Sequence, residues 1–142
     1  MAKILVAFWS QTGNTQNMAN AVGEGAKAAG AEVNVLPVSA VSMDDVKSAD
    51  AVALGCPAMG AEVLEETEME PFMEEAEGAI SGKRVGLFGS YGWGDGQWMR
   101  DWEERVSTTG ASLVGAEGVI CQEAPDNDAL EKCRNLGKQL AE

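Results

Sequence analysis

The sequence predicts an α/β fold in which a doubly wound, five-stranded parallel sheet carries helices on both faces. Apolar segments recur along the chain, and segments with helical spacing lie between them. The first apolar run, Ile4 to Trp9, is continuous rather than alternating, which is typical of a strand that is buried on both sides. The predicted strands are about Lys3 to Trp9, Glu32 to Leu36, Ala51 to Cys56, Arg84 to Ser90 and Leu113 to Ile120.

The predicted helices connect these strands, and each places apolar side chains on one face. In the first helix this face includes Met18, Val22 and Ala26. The fifth strand contains Gly115 and Gly118, which suggests an interruption or a bulge within it. The helices are predicted at about Asn14 to Ala29, Met43 to Lys47, Glu68 to Glu77, Gln97 to Thr108 and Asn127 to Leu140.

Side chains suited to nucleophilic or metal chemistry are scarce. The chain has no histidine, so it lacks the commonest general base and has no Ser/His or Cys/His dyad. Its three cysteines have no CxxC spacing, and their odd number argues against a disulfide framework. Cys133 lies in the apolar stripe of the last helix and is expected to be a buried thiol. Trp98 and Trp102, four residues apart, are expected to lie in the core.

The composition predicts one acidic domain over residues 1–142. The net charge of −13, from 23 acidic and 10 basic residues, argues against binding to nucleic acid or an anionic lipid surface. It favours basic partners instead. The first apolar run is too short to span a membrane, and no signal-peptide cleavage site follows it. We therefore expect a cytoplasmic protein that does not insert into membranes. We also expect it to be a monomer.

Three unusual loops follow the first, third and fourth predicted strands. In a parallel sheet these loops meet outside the carboxyl ends of the strands, where ligands bind. The first loop, Ser10 to Thr15, has three hydroxyls and no cation, and it opens a helix. Free N–H groups and the helix dipole could hold an anion there. Ser, Thr and Asn are also favoured N-cap residues, and from this segment alone helix capping is slightly the better interpretation. The segment has neither GxGxxG nor Gly-Lys-Ser/Thr, so a mononucleotide with one terminal phosphate is the natural ligand.

The other two loops predict contacts to an aromatic ring. In Cys56 to Glu62, the tight turn at Gly60 could change its turn type at little cost. Met59 could lie against a ring, although a lone Met more often fills the core. In Gly89 to Gly96, four glycines leave Trp93 without rigid packing, so its exposure is costly unless a planar partner covers it. Together the loops match the parts of flavin mononucleotide (FMN).

Three motifs give the chain a strong resemblance to the flavodoxins, specifically the short-chain type of anaerobic bacteria. They are WSQTGNT at Trp9 to Thr15, AMGAE at Ala58 to Glu62 and GSYGWGDG at Gly89 to Gly96. The resemblance covers essentially the whole chain and implies a flavodoxin-like sheet of order 2-1-3-4-5. By this resemblance the cofactor-binding residues are Ser10, Gln11, Thr12, Gly13, Asn14, Thr15, Ala58, Met59, Gly60, Ala61, Glu62, Ser90, Tyr91, Gly92, Trp93, Gly94 and Asp95.

The resemblance also implies roles for these residues around one noncovalent FMN. The first loop would hold the phosphate, Trp93 would stack on the outer face of the ring, and Met59 on the inner face. The Gly60 carbonyl would turn toward flavin N5 when N5 is protonated, Glu62 would accept from N3, and amides at 92–94 would face O2. Two positions depart from some relatives: Pro57 replaces a Ser, and Ala61 stands where Asp, Asn or Ser is expected.

The implied function is low-potential, one-electron transfer in place of ferredoxin, without enzymatic activity. Basic redox proteins, such as ferredoxin-type reductases and oxidoreductases, are the expected partners. The segment from Glu62 to Glu77, with eight glutamates and no base, is either a docking surface for them or a solvated helix face. The nearest alternative is a flavin-dependent NAD(P)H reductase on the same fold, which needs a substrate cavity that this short chain has no obvious segment to form. The first loop of this chain lacks the residues that a phospho-acceptor module or a small phosphatase would need there.

Overall fold

The fold is a parallel sheet between two layers of helices, as the sequence predicts. The computed structural model describes residues 2–115 and 117–142. Its strands are β1 (Lys3–Phe8), β2 (Glu32–Pro37), β3 (Ala51–Gly55), β4 (Arg84–Tyr91), β5 (Ser112–Leu113) and β6 (Val119–Gln122). Its α-helices are α1 (Asn14–Ala28), α2 (Met43–Ser48), α3 (Met69–Ala76), α4 (Gln97–Thr108) and α5 (Asn127–Ala141), with a 3-10 turn at Val38–Ala40.

The order of the sheet is β2-β1-β3-β4-β5, with β6 also paired to β4, and every pairing is parallel. The predicted order 2-1-3-4-5 is therefore confirmed. The fifth position holds two short strands, of which β5 ends at Leu113 and β6 begins at Val119. Gly115 has φ +83°, and the Gly118 amide donates to Glu103 on α4 at 2.6 Å. The predicted interruption at these glycines is confirmed; Ala116, within the predicted strand, lies outside the described residues.

Alternate residues of the strands face two separate cores. Leu5 and Ala7 pack with α2, α3 and α4 on one face of the sheet. Ile4 and Val6 pack with α1 and α5 on the other face. This division follows from the period of two along a strand, and it explains why the strands carry continuous apolar runs. The predictions for Trp98, Trp102 and Cys133 are confirmed, since all three are buried in these cores.

The parallel arrangement places the carboxyl ends of all strands at one edge of the sheet. The loops after β1, β3 and β4 meet there, together with the segment after β6. Most elements differ from the prediction by one residue at one or both ends, and the end of β1 and the start of α3 show why. β1 ends at Phe8, although the Trp9 amide still donates to the Gly55 carbonyl at 3.0 Å. α3 begins at Met69 because the preceding residues form its cap.

Candidate functional site

A cleft at the carboxyl edge of the sheet brings the three predicted loops together. It encloses roughly 520 Å³, including solvent at its mouth. Within the described ranges, no Lys or Arg lines it. Its lining consists of Ser10, Gln11, Thr12, Asn14, Thr15, Pro57, Ala58, Met59, Ser90, Tyr91, Gly92 and Glu123.

The first loop of the cleft contains hydroxyls and amides arranged at the start of α1. The N-cap residue is Gly13, with φ +93° and no side-chain cap of its own. The hydroxyl oxygen of Ser10 accepts from the amides of Gly13 and Gln16, at 3.1 and 3.3 Å. Among the described residues, the amides of Asn14 and Thr15 have no protein acceptor. Ser10 therefore shapes the loop, while N–H groups at the positive end of the helix stay available to a bound anion.

A buried pair of hydroxyls connects the first loop to the end of β4. The Thr15 and Ser90 oxygens lie 3.2 Å apart, and both residues are at least nine-tenths buried. The backbone carbonyl of Ser90 also accepts a hydrogen bond from the Ala58 amide of the second loop, at 3.0 Å. Polar groups are rarely buried unless they are hydrogen-bonded, so these contacts fix the relative positions of all three loops.

The third and fourth strands approach so closely here that a glycine is required. A Cβ added to Gly89 would lie 2.2 Å from the backbone oxygen of Cys56. The same oxygen accepts from the Trp98 indole at 3.1 Å. Burial raises the pKa of the Cys56 thiol to about 12, so the thiol is protonated and inert at neutral pH.

The second loop is a tight hairpin that places Met59 in the cleft wall. Met59 and Val63 exchange both backbone hydrogen bonds at 2.9 Å. Between them, Gly60 has φ +49° and Glu62 has φ +56°. Met59 is half-buried and lines the cleft, so the expectation that a lone Met fills the core is wrong here. The hairpin turns its chain back toward the cleft and keeps this side chain out of the two helix-covered cores.

The carboxylate of Glu62 joins the second loop to the third. One of its oxygens accepts from the amides of Gly96 and Gln97, at 3.2 and 3.1 Å. These amides form the N-terminal end of α4, where a negative charge is favoured. A Cβ on Gly94 would lie 2.4 Å from the Glu62 carboxyl carbon, so the side chain packs directly over that glycine. Beside this contact, the side chain of Trp93 is 65% exposed.

The cleft contains ten of the predicted cofactor-binding residues in its lining. These are the first-loop residues other than Gly13, together with Ala58, Met59, Ser90, Tyr91 and Gly92. The others lie around it in the same loops: Gly13, Gly60, Ala61, Glu62, Trp93, Gly94 and Asp95. Two lining residues were outside the prediction, namely Pro57 and Glu123. Glu123 directly follows β6, so its position after the interrupted fifth strand was the signal that could have identified it.

The acidic segment from Glu62 to Glu77 is not uniformly exposed. Glu65 is buried, with one oxygen accepting from the Thr67 amide at 2.7 Å and from the Thr67 hydroxyl. Its other oxygen accepts from the amides of Glu68 and Met69, at 2.8 and 3.0 Å. Burial raises the pKa of the Glu65 carboxyl, but these hydrogen bonds outweigh burial and hold the pKa below its ordinary value.

Arg105 pairs with two other glutamates of this segment. Its guanidinium binds Glu70 through both terminal nitrogens, at 2.8 and 2.6 Å, and Glu77 through Nε at 2.6 Å. The hydrogen bonds to Glu70 raise the pKa of Arg105, although partial burial opposes them. Glu66, Glu68, Glu74 and Glu75 are exposed, and Glu68 accepts from the Trp9 indole at 3.2 Å. The acidic surface available to a partner is therefore smaller than the sequence count suggests.

Comparison with known proteins identifies the family. A family model described as Flavodoxin matches residues 6–137. The chain is 49% identical over 136 residues to a flavodoxin from Clostridium beijerinckii, covering 96% of this chain and 97% of the relative. The chain belongs to the flavodoxin family. A flavodoxin from Megasphaera elsdenii is 46% identical over 136 residues, with 96% of each chain covered. The solution structure of that flavodoxin in its two-electron reduced state superposes with a TM-score of 0.87 at 44% identity, covering 97% of this chain and 98% of that one.

Flavodoxins of this kind carry electrons on FMN and are not enzymes, which disfavours the NAD(P)H reductase alternative. The residues of the cleft fit such a cofactor. Among the described residues, the amides of Asn14 and Thr15 lack a protein acceptor and suit its phosphate, and the half-buried Met59 and Tyr91 in the lining offer apolar surface for its ring. Within the ranges that the structure describes, no helix has the length and hydropathy needed to cross a membrane.

Proposed function

We propose that this flavodoxin shuttles single electrons at low potential between redox proteins in the cytoplasm, as a monomer that can replace a ferredoxin. The observation that carries the proposal is a cleft whose described lining residues include no Lys or Arg and combine helix amides that have no acceptor among those residues with apolar side chains. Bound FMN supplies the redox chemistry, since it takes up and releases electrons one at a time. The chain supplies the binding groups, their orientation and their electrostatic field.

The first loop binds the phosphate through neutral donors. The hydroxyls of Thr12 and Thr15 and the amides of Asn14 and Thr15 are donors of the kind that a phosphate monoester requires. Ser10 keeps the loop in shape through its two accepted bonds. No Lys or Arg is among the described residues that line the cleft, so no side-chain cation there would stabilise extra negative charge on the bound cofactor.

Trp93 and Met59 cover the two faces of the flavin ring. Exposing a Trp to the extent of 65% leaves a large apolar surface that a planar ligand would cover. Gly60 has φ +49°, and a Cβ added to it would meet no other atom within 4 Å. This open space leaves room for its peptide to turn and present a carbonyl to a protonated nitrogen. Glu62, bound to the first amides of α4, is held beside the same ring as an acceptor.

The exposed part of the acidic surface recognises basic redox proteins such as ferredoxin-type reductases and oxidoreductases. Glu66, Glu74 and Glu75 lie on or beside α3, which follows the second loop along the chain. Charges of one sign steer an oppositely charged partner into contact and raise its association rate. Glu65, Glu70 and Glu77 take no part, because their carboxylates are occupied within the fold.

An absorbance spectrum and a titration test this function. The purified chain should bind one FMN, be reduced in two separate one-electron steps and show no turnover with NAD(P)H. Trp93→Ala should weaken FMN binding by about 2 kcal/mol, roughly thirtyfold, whereas Trp93→Phe, which keeps a ring, should lose much less. Equal affinity of the natural chain and Trp93→Ala would rule out stacking by this residue.

Salt dependence tests the acidic docking surface. Electron transfer from the reduced protein to a basic c-type cytochrome should slow steeply between low and moderate ionic strength. Transfer to a neutral quinone provides the matched control, since it should change little with salt. A triple substitution of Glu66, Glu74 and Glu75 by Gln should flatten the cytochrome dependence. An unchanged salt slope in that variant would place the docking surface elsewhere.

A further inference from the structure

The third loop contains an aspartate whose carboxyl group lies next to the amide of a glycine. Asp95 is followed by Gly96, and no other Asp or Asn of the chain precedes a glycine. Glycine has no side chain to obstruct its own amide nitrogen, so an aspartyl carboxyl group reaches that nitrogen most easily in an Asp–Gly sequence. The local sequence therefore marks Asp95 as a site where the main chain can change covalently.

The loop around Asp95 has few backbone hydrogen bonds. It runs between the end of β4 and the start of α4. Among the described residues, the amides at 93–95 have no protein acceptor. Gly94 and Gly96 on either side have φ +92° and +91°, so both neighbours of Asp95 adopt a conformation that favours glycine. These neighbours allow the backbone at Asp95 more rotation than a helix or a strand would.

Two contacts restrain the groups that would react. Arg100 donates to the carboxylate and to the backbone carbonyl of Asp95, each at 3.0 Å. The Gly96 amide donates to Glu62 at 3.2 Å. The side chains of Arg100 and Asp95 are 52% and 79% exposed, and ion pairs as exposed as this one are weak. Gly96 is buried, but the carboxyl group that would reach its nitrogen belongs to the adjacent residue and needs no path from solvent. The contacts therefore slow a reaction between these two groups without preventing it.

We propose that Asp95 converts spontaneously to isoaspartate and that Arg100 slows the conversion. The Gly96 nitrogen attacks the side-chain carboxyl carbon of Asp95, and a C–N bond forms. One carboxyl oxygen leaves as water, taking the amide proton and a proton from solvent, and the product is a cyclic imide. Water then opens the imide at either carbonyl. One opening restores Asp95, and the other leaves the main chain running through the former side-chain carboxyl carbon. Water is the only co-reactant.

Isoaspartate lengthens the main chain by one methylene group just before α4. Trp93 lies two residues before Asp95, and Glu62 binds the amides of Gly96 and Gln97 directly after it. The added length displaces Trp93 relative to the start of α4, so the converted protein should bind FMN less tightly. This consequence rests on the proposed function, whereas the covalent step does not.

Ageing of the flavin-free, full-length protein at neutral pH and body temperature tests the site. Isoaspartate is measured by peptide mapping with mass spectrometry and by methylation with a protein isoaspartyl methyltransferase. It should accumulate at position 95 and at no other aspartate. Asp95→Glu, which keeps the charge but would have to close a larger ring, should show none. Arg100→Gln should convert about threefold faster, as loss of a weak exposed ion pair predicts. Arg134→Gln is the matched control, because it removes a cation from an exposed ion pair on α5, and it should age at the natural rate.

A synthetic peptide of residues 91–98 gives the rate without the fold. Isoaspartate in the peptide but none at position 95 of the folded protein would overturn the proposal. Equal rates for the natural chain and Arg100→Gln would overturn the role of Arg100. The converted protein, separated by chromatography, should bind FMN about tenfold more weakly than the fresh protein, which is most of the loss expected for Trp93→Ala. Equal affinities would overturn the displacement of Trp93. If the fresh protein bound no FMN at all, the proposed function would fail, while isoaspartate at position 95 would still support the covalent step.

Discussion

Replacing Glu65 by Gln should remove a buried cap that supports the second loop and the start of α3. The carboxylate accepts four hydrogen bonds, two at each oxygen. Gln has a single acceptor oxygen, and its NH₂ group would face N–H donors in a site only 5% exposed. Hydrogen bonds to charged groups contribute about 1.5–3 kcal/mol, and an unpaired buried donor costs about 1–3 kcal/mol. Because some of these amides can regain water, we expect Glu65→Gln to lower the free energy of unfolding by about 2 kcal/mol.

The pH dependence gives this prediction a second readout. The folded protein holds the pKa of Glu65 below its ordinary value of about 4.3, so the unfolded chain binds the proton more tightly. The stabilisation is therefore complete above about pH 4.3 and is lost as the pH falls through the lower pKa of the folded state. The difference between the natural chain and Glu65→Gln should be largest near neutrality and should shrink in acid.

Urea unfolding at a series of pH values, followed by circular dichroism, measures both effects. Glu66→Gln is the control, because Glu66 is the exposed neighbour in the same segment. That variant should stay within about 0.5 kcal/mol of the natural chain, as surface substitutions usually do. The cap would be refuted if Glu65→Gln behaved like Glu66→Gln, or if its deficit were the same at pH 3 and pH 7.

Two further predictions concern packing and the thiols. Gly137→Ala should cost about 3 kcal/mol in urea unfolding, because its Cβ would lie 2.0 Å from a backbone oxygen of α1; Gly78→Ala, with nothing within 4 Å, should be neutral or slightly stabilising, and similar losses for both would contradict the close helix crossing. Iodoacetamide at pH 8 should modify the half-exposed Cys121, whose pKa burial raises to about 11, only slowly. Cys56 and Cys133, buried and each with a pKa raised by burial to about 12, should react only after unfolding; native-state labelling of either, followed by mass spectrometry, would contradict their burial.

The sequence predicted the architecture well because its signals are local. A continuous apolar run such as Ile4 to Phe8 specifies a strand covered on both faces. Gly115 and Gly118 also marked where the fifth strand breaks. Where β5 ends and β6 begins depends on tertiary contacts with α4, such as the hydrogen bond that the Gly118 amide donates to Glu103. No local sequence pattern predicts such a contact.

The site was predicted where family motifs continue through a loop and missed where they do not. Without the family motif, Met59 would be predicted to lie in the core. The backbone hydrogen bonds between Met59 and Val63 explain why it lines the cleft instead. Glu65 was indistinguishable by composition from its acidic neighbours, since its role as a cap depends on amides that converge only after the loop folds. Glu123 lies after an interrupted strand and reaches the cleft through tertiary contacts with Tyr91.

The placement of carboxylates explains how a chain of net charge −13 can fold around an anion site. The amides of Glu68 and Met69 hold the Glu65 carboxylate, while Arg105 pairs with Glu70 and Glu77 and offsets one of their two charges. Glu62 lies against the first amides of α4, which favour its charge. Among the described residues, Glu123 alone lines the cleft with an unpaired carboxylate. Phosphate binding through the first loop therefore depends on neutral donors close to the anion. Any further negative charge in the cleft is repelled by Glu123, and no Lys or Arg among the described lining residues offsets that repulsion. This asymmetry favours binding of the cofactor over its full reduction, which is the condition that a low-potential carrier requires.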